Sequence, residues 1–476
     1  MTTIDDPLLA EADDLQDAGA LGNVERGCPV VRVEYGVFFD GTGNNETNYL
    51  SGIDMRAKGQ VTSGSYDNEA SNIAKLFNEY KNEEDAARER NQDGSPCVVY
   101  DSFYVDGIGT TAGRGDSNIG FATGLGRTGV NQRVARTIEH ISMRLAQISA
   151  EIDEVILDVF GFSRGAAAAR HFVNLLHDIR NLDVGARRPG SFYSPLFTHE
   201  KLRIRFVGLF DCVVSTGTVA DDDNYAGSAI GLTDDIAEKV VNIFAGDEFR
   251  LNFSANSILA RPNRLTGGVE GTREEYIGPG AHSDLGGGYS AHFPEAPIIA
   301  LEAGRGPTLA SPQDMIQHLE TAGELSPADI ERKQRLVEKG WCLPGEIDNC
   351  YIKQPISDDW GYHIILDRSA FHDHRLARVY LHVMHQLALD NDAGLRSALP
   401  SGPLYDVPGD LGFLKNKVLN RQPLTRSETV LVRRMYTHHS AHFAISDTLI
   451  GTALELRPMI PQNGTIRTIY PNDPNN

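Results

Sequence analysis

The chain contains no run of about 18 consecutive apolar residues, so an ordinary transmembrane helix is not expected. Its opening stretch, MTTIDDPLLAEADDLQDAGALGN, is acidic where a secretory leader needs a basic segment followed by an apolar one. No signal peptide is therefore expected, and synthesis and folding in the cytoplasm are. Positive charge is in deficit: 44 Lys and Arg stand against 65 Asp and Glu, a formal charge of −21. That balance disfavours binding by phosphate neutralisation and argues against nucleic acid as a partner. It equally disfavours a broad electrostatic grip on anionic lipid, so any membrane contact has to be local and largely apolar. Cysteine is scarce, with five residues (Cys28, Cys97, Cys212, Cys342, Cys350) and no CxxC pair. Neither a disulfide framework nor a zinc site is indicated, and Cys342 and Cys350 are expected as free buried thiols rather than a bridge. A P-loop is missing too, because no GKS or GKT follows a glycine-rich loop.

At 476 residues the chain is long enough for a sizeable core in one large domain or several. Residues 1–29 read as an acidic tail. From Val30 onward, β-rich and helical runs alternate: VVRVEYGVFFD, NIAKLFNEYKN, SPCVVYDSFYVDGIG, VNQRVARTIEHISMRLAQISAEI, DEVILDVFGFS, AAAARHFVNLLHDI and LRIRFVGLFDCVVS. That order predicts stacked βαβ units, hence an α/β fold with a mostly parallel central sheet flanked by helices over residues 30–290. Proline and glycine clusters then mark residues 291–370 as an insertion or lid. Residues 371–476 read as a C-terminal helical part that packs on and completes the core. Its best helix is RLARVYLHVMHQLALD, where Leu376, Val379, Tyr380, Val383 and Leu387 follow helical spacing.

Chemistry concentrates in a few short stretches. DVFGFSRGAAAARHF places Ser163 between Gly161 and Gly165, after an apolar strand and before an alanine run that starts a helix at once. This is the context a nucleophile elbow requires, since a serine hydroxyl attacks a carbonyl only when a sharp turn presents it beside a base and an oxyanion hole. In such hydrolases the acid follows the serine in chain order and the histidine comes last. Asp211, at the end of IRFVGLFDCV, fits the acid; His282, in YIGPGAHSDLGGGYS, fits the base, with Asp284 the alternative functional residue of that loop. One oxyanion donor is expected from the backbone N–H of Arg164. The other is expected from the turn in GVFFDGTGNN, with Asp40, Gly41 or Thr42 as suppliers, although DGIGTTAGRG at 106–115 could line the same cleft.

Two further patterns are read as uninformative. GLGRTG at 124–129 matches a dinucleotide fingerprint but follows a poor strand and lacks the acidic ribose contact, so no nucleotide cofactor is expected. Histidines cluster at His372 and His374, at His382 and His385, and at His438, His439 and His442. Without cysteine or a closely spaced carboxylate set, they are expected to be satisfied or exposed, with no metal bound.

Taken together and in order, VFFDGTGNN, GFSRGAAAAR, FVGLFDCV and PGAHSDLGGGY resemble the type VI secretion lipase effectors, with YTHHSAHF and IRTIYPN as weaker echoes. The chain departs from that pattern at Cys212, where threonine is more usual. The resemblance implies an α/β-hydrolase fold and a phospholipase A acting on membrane glycerophospholipids, with Ser163, Asp211 and His282 as its triad and no cofactor. It also implies export by a contractile injection apparatus on a secretion spike or adaptor protein, action in the periplasm of a target bacterium, and a cognate immunity protein. Two rivals stay open at this level. A triad specifies acyl transfer rather than the acyl group, so a soluble ester, amide or thioester is one alternative. A non-catalytic interaction protein that retains the hydrolase fold is the other.

Overall fold

A computed structural model describes residues 28–88, 97–114, 129–181, 200–214, 228–250, 253–263, 265–290, 295–303, 325–355, 361–441 and 467–474. The residues of the expected acidic tail before Cys28, GLGRTG up to Thr128, and His442 lie outside these. At the centre is a seven-stranded sheet built from β1 (Val30–Phe39), β2 (Cys97–Val105), β3 (Glu151–Phe162), β4 (Leu202–Phe210), β5 (Lys239–Ala245), β7 (Gly268–Glu270) and β8 (Arg273–Gly278). The spatial order is β2-β1-β3-β4-β5-β8-β7, with every pairing parallel except β7 with β8. A strand that alternates its faces can bury both only if both are apolar, and β3 does this. Its Val155, Leu157 and Val159 join one core cluster, while Phe160 and Phe162 join the other.

The first cluster is covered by α4 (Val130–Ala146) and α5 (Arg164–Asn181), through residues such as Val134, Ile141, Ala166 and Phe172. The second is covered by α2 (Asn72–Asn78), α9 (Ala377–Leu389) and α10 (Leu414–Leu419). Leu376, Val379, Tyr380, Val383 and Leu387 are all buried there, on the face their spacing picks out. The remaining helices are α1 (Glu46–Ala57), α3 (Glu83–Arg88), α6 (His282–Gly286), α7 (Pro327–Glu338), α8 (Ile347–Cys350) and α11 (Arg426–Met435).

Within residues 291–370 the described chain forms a separate antiparallel sheet of β9 (Ile298–Ala303), β11 (Gly361–Leu366) and β10 (Tyr351–Pro355), with its own core around Trp341, Ile364 and Leu366. The C-terminal part is not purely helical. β12 (Ile469–Tyr470) pairs in parallel with β6 (Ala255–Asn256) as a separate two-stranded sheet, and the Asn256 amide donates to the Cys212 carbonyl just past the end of β4.

Two features depart from expectation. Cys28 and Cys97 form a disulfide across 69 residues, because β1 and β2 run side by side with Val31 opposite Cys97. Linear spacing carries no trace of that pairing. Cys212, Cys342 and Cys350 are free and buried. The sheet also holds a buried charge network where the strands read as apolar. Arg205 donates to both carboxylate oxygens of Asp158, at 2.9 and 2.6 Å, and to Glu34 at 2.8 Å. Tyr80 and the Gly394 amide complete the set on Asp158, so the charges are paired and hydrogen-bonded as burial demands.

Candidate active site

In a parallel sheet all the strand C-termini emerge along one edge, the usual place for a binding crevice. Phe39 of β1 lies opposite Gly161 of β3, and Phe162 of β3 opposite Phe210 of β4. The residues that follow these strand ends, Asp40, Ser163 and Asp211, therefore come to one edge.

Ser163 has φ +59°, one of four non-glycine residues with positive φ among those described. Such a conformation costs about 1–3 kcal/mol and persists only where surroundings enforce it. Here the enforcement is a strand that must become a helix within one residue. The Ser163 amide donates to the Phe210 carbonyl at 3.0 Å, and the Ser163 carbonyl accepts from Ala166 and Ala167 of α5. The flanking glycines are required by contact. A Cβ on Gly161 would stand 2.6 Å from Cα of Ala166, and one on Gly165 would stand 2.3 Å from the carbonyl oxygens of Phe39 and Asp40.

Asp211 is also held at positive φ, +42°, with its amide on the Ile243 carbonyl of β5. His282 opens α6, and its Nδ1–H donates to Asp211 Oδ2 at 2.6 Å. That bond fixes the tautomer and leaves Nε2 as the basic nitrogen. The imidazole packs between the rings of Phe162, next to Ser163, and Phe253, at 4.6 and 5.0 Å between centroids. Burial holds its pKa below the ordinary histidine value, outweighing the pull of Asp211 in the other direction, and Arg250 adds to the lowering. A neutral, buried imidazole is the state a general base needs.

Asp211 carries more partners than the motif suggests. Besides His282 it accepts the Ala245 amide at 3.0 Å and a two-pronged contact from Arg467, Nη1 to Oδ1 at 2.7 Å and Nη2 to Oδ2 at 2.9 Å. Burial alone would raise the pKa of this carboxyl, yet Arg467 and His282 together hold it below the usual range. Arg467 stands two residues before β12, so the pairing of β12 with β6 delivers it. Its only forerunner in the sequence is its place in IRTIYPN. Glu248 is the other unforeseen member: it accepts the His282 amide at 3.2 Å, pairs with Arg250 at 2.9 Å, and accepts the Ser440 hydroxyl. Despite burial, Arg250 foremost, with Arg467 and His282, keeps it ionised.

The turn after β1 packs on the elbow, but two of its expected oxyanion donors are engaged elsewhere. The Asp40 amide bonds the Val105 carbonyl, and the Gly41 amide bonds the Asp40 carboxylate at 2.6 Å. That carboxylate, also held by Ser71 and Tyr104, is pushed by burial up to about 7. Gly43 and Asn44 donate to Ile108 and Gly41. The Thr42 amide has no such partner among the described residues, and the Thr42 side chain accepts from Arg164 Nε at 2.8 Å. The 106–114 stretch serves as backing for this turn, with the Gly107 amide on the Asn44 carbonyl.

Asp284, the alternative residue of the histidine loop, is fully buried. It accepts the Ala281 amide and bonds the backbone and ring of His438, at 2.9 and 2.6 Å. Other clustered histidines have ordinary partners: His382 meets the Tyr405 carbonyl, His385 the Arg396 carbonyl, His439 the Ala441 carbonyl, and His374 pairs with Glu69.

The family model for the T6SS, phospholipase effector Tle1-like, catalytic domain matches residues 35–192 and 187–302, which exceeds half of the 476-residue chain and contains all the strand ends described above. A solved structure of the Tle1 effector bound to the VgrG spike from the type VI secretion system is similar over 87% of this chain and 85% of its own, at 24% identity and a TM-score of 0.54. An uncharacterized protein from Pseudomonas aeruginosa aligns over 92% of this chain and 65% of its own, at 18% identity and a TM-score of 0.36. No curated protein sequence matches. With its elbow at the C-terminal edge of a mostly parallel sheet, the chain has the α/β-hydrolase fold and belongs to the Tle1-like phospholipase effectors of the type VI secretion system.

Proposed function

We propose that the chain is a serine phospholipase A that cleaves an acyl ester of membrane glycerophospholipids through Ser163, His282 and Asp211. The observation that carries this reading is the positive-φ serine between β3 and α5, at the same sheet edge as Asp211, whose carboxylate holds one ring nitrogen of the buried His282. In this reading Ser163 Oγ attacks the ester carbonyl while His282 Nε2 takes the hydroxyl proton, and the same nitrogen returns it to the leaving alcohol. Asp211 holds the imidazole and stabilises its protonated form, and Arg467 holds Asp211. The backbone amides of Arg164 and Thr42 receive the oxyanion. Water then hydrolyses the acyl-enzyme by the reverse use of His282.

We further read the chain as an antibacterial effector acting in the periplasm of a target cell, carried on a spike protein as the Tle1 effector is bound to VgrG, with an immunity protein guarding kin. The Cys28–Cys97 bridge suits an oxidising destination. Digestion of a mixed-chain phospholipid followed by mass spectrometry tests the reaction and the acyl position together. Ser163→Ala is expected to lower kcat/KM by roughly 10^4-fold or more with the fold intact. Undiminished release of fatty acid by that variant would sink the assignment.

A further inference from the structure

We propose that Glu295, His372 and His438 form a binding site for a divalent first-row transition cation, with Zn2+ the best match to the donor set. One ligand atom from each of the three side chains lies within 4.8 Å of the others, although the residues come from three distant segments. Two imidazoles and a carboxylate are a recurrent zinc donor set, whereas calcium and magnesium prefer oxygen alone.

The bonds around the cluster prepare each ligand. His438 gives its Nδ1–H to Asp284 at 2.6 Å, which leaves the Nε2 lone pair for a cation and forms the carboxylate–histidine pairing that orients metal-bound imidazoles. His372 bonds the Thr437 backbone through its ring. Its Nε2 is buried and has no hydrogen-bond partner among the described residues. A buried, unpaired ring nitrogen facing a carboxylate and a second imidazole is costly unless a cation sits between them. Glu295 is fixed through Oε1 by Arg368 Nη2 at 2.7 Å and by the His439 amide at 2.8 Å. Stacking of the Tyr289 ring on His438, 3.6 Å between centroids, limits the rotation of that imidazole.

Charge points the same way. Asp284 and Glu295 bring two negative charges and Arg368 one positive charge, so the cluster favours a cation. Metal–ligand bonds of roughly 2 Å require the three atoms to draw together by about 1 Å, within reach of small side-chain rotations. Three protein ligands leave one coordination position for water. His438 and Asp284 already link the 437–441 segment to α6; a cation would add a tie from that segment to Glu295 and His372 without touching the reacting ester.

The test uses the full chain with Zn2+ alone as the probe, metal content being read by mass spectrometry after desalting and binding by calorimetry. The wild type is expected to retain a single equivalent and to gain thermal stability from it. His372→Ala and His438→Ala are expected to lose both, and Glu295→Gln, whose amide oxygen still accepts from Arg368 and His439, to bind at least about tenfold more weakly. Should either alanine variant fail to fold, His372→Asn and Glu295→Gln decide the matter. A Cys342→Ser, Cys350→Ser double variant is expected to keep its zinc. The proposal fails if the wild type retains none, if the histidine variants bind as it does, or if zinc follows the cysteines. Measuring zinc rather than lipid hydrolysis separates this outcome from failure of the esterase reading.

Discussion

Arg467 shows how much of the site lies outside its motif. It meets both oxygens of a fully buried aspartate, and breaking such a pair costs about 3 kcal/mol or more because a charge is left uncompensated. Its effect on the reaction has a definite sign. The guanidinium offsets part of the negative charge that His282 feels from Asp211. Arg467→Ala should therefore let Asp211 draw the His282 pKa upward, moving the acid limb of the kcat/KM profile to higher pH, with Arg467→Lys in between. A limb that stays in place while activity drops would mean that Arg467 acts on folding alone. The converse holds at Glu248, which raises the His282 pKa while Arg250 lowers it. Glu248→Gln removes the first influence and frees the second, so the acid limb should shift to lower pH. The placement of the triad candidates is readable from local pattern: Ser163 and Asp211 follow apolar strands, and His282 lies in the glycine-rich loop after β8. That of Arg467 and Glu248 is not, because what they meet is decided by where distant segments return.

At the scale of elements, the junction of β3 and α5 is the most constrained piece of backbone in the site. Its order was readable from the apolar strand, the glycines and the alanine run, since each follows from local propensity and sterics. The turn after β1 was readable as a loop near the elbow but not in detail. Which amides it leaves for an oxyanion depends on Asp40 folding back onto Gly41 and on Val105 and Ile108 taking two more. β3 reads as nearly all apolar with Asp158 its exception, and the role of Asp158 is not readable because its partners Arg205, Tyr80 and Gly394 come from other segments. The close packing of the elbow on β1 makes a direct prediction. In Gly165→Ala the new methyl would press on two backbone carbonyls that cannot rotate away, so β1 and α5 must separate. Destabilisation of about 1–3 kcal/mol in denaturant titrations is expected, with activity falling further than stability accounts for. A Gly165→Ala protein as stable and active as the wild type would show that the junction tolerates such movement.

Over the whole molecule, the alternating pattern to residue 290 predicted the central sheet, because βαβ order leaves few topologies. Later segments were less legible, since the small antiparallel sheet, the β12–β6 pair and the Cys28–Cys97 bridge depend on contacts between distant residues. The bridge sits at the opposite end of the sheet from the site: Cys28 precedes β1 and Cys97 begins β2, whereas Ser163 and Asp211 follow strand C-termini. It should thus govern stability with little influence on chemistry. Closing a 69-residue separation restricts the unfolded chain by about 4 kcal/mol at 25 °C in the loop-entropy account. Protein isolated from an oxidising compartment and unfolded without reductant should titrate three thiols, and five after reduction. Cys28→Ser with Cys97→Ser should lower the unfolding midpoint while leaving lipid hydrolysis at 25 °C near that of the wild type. Five thiols without reductant, or a double variant equally stable but inactive, would contradict this division of labour between the two ends of the sheet.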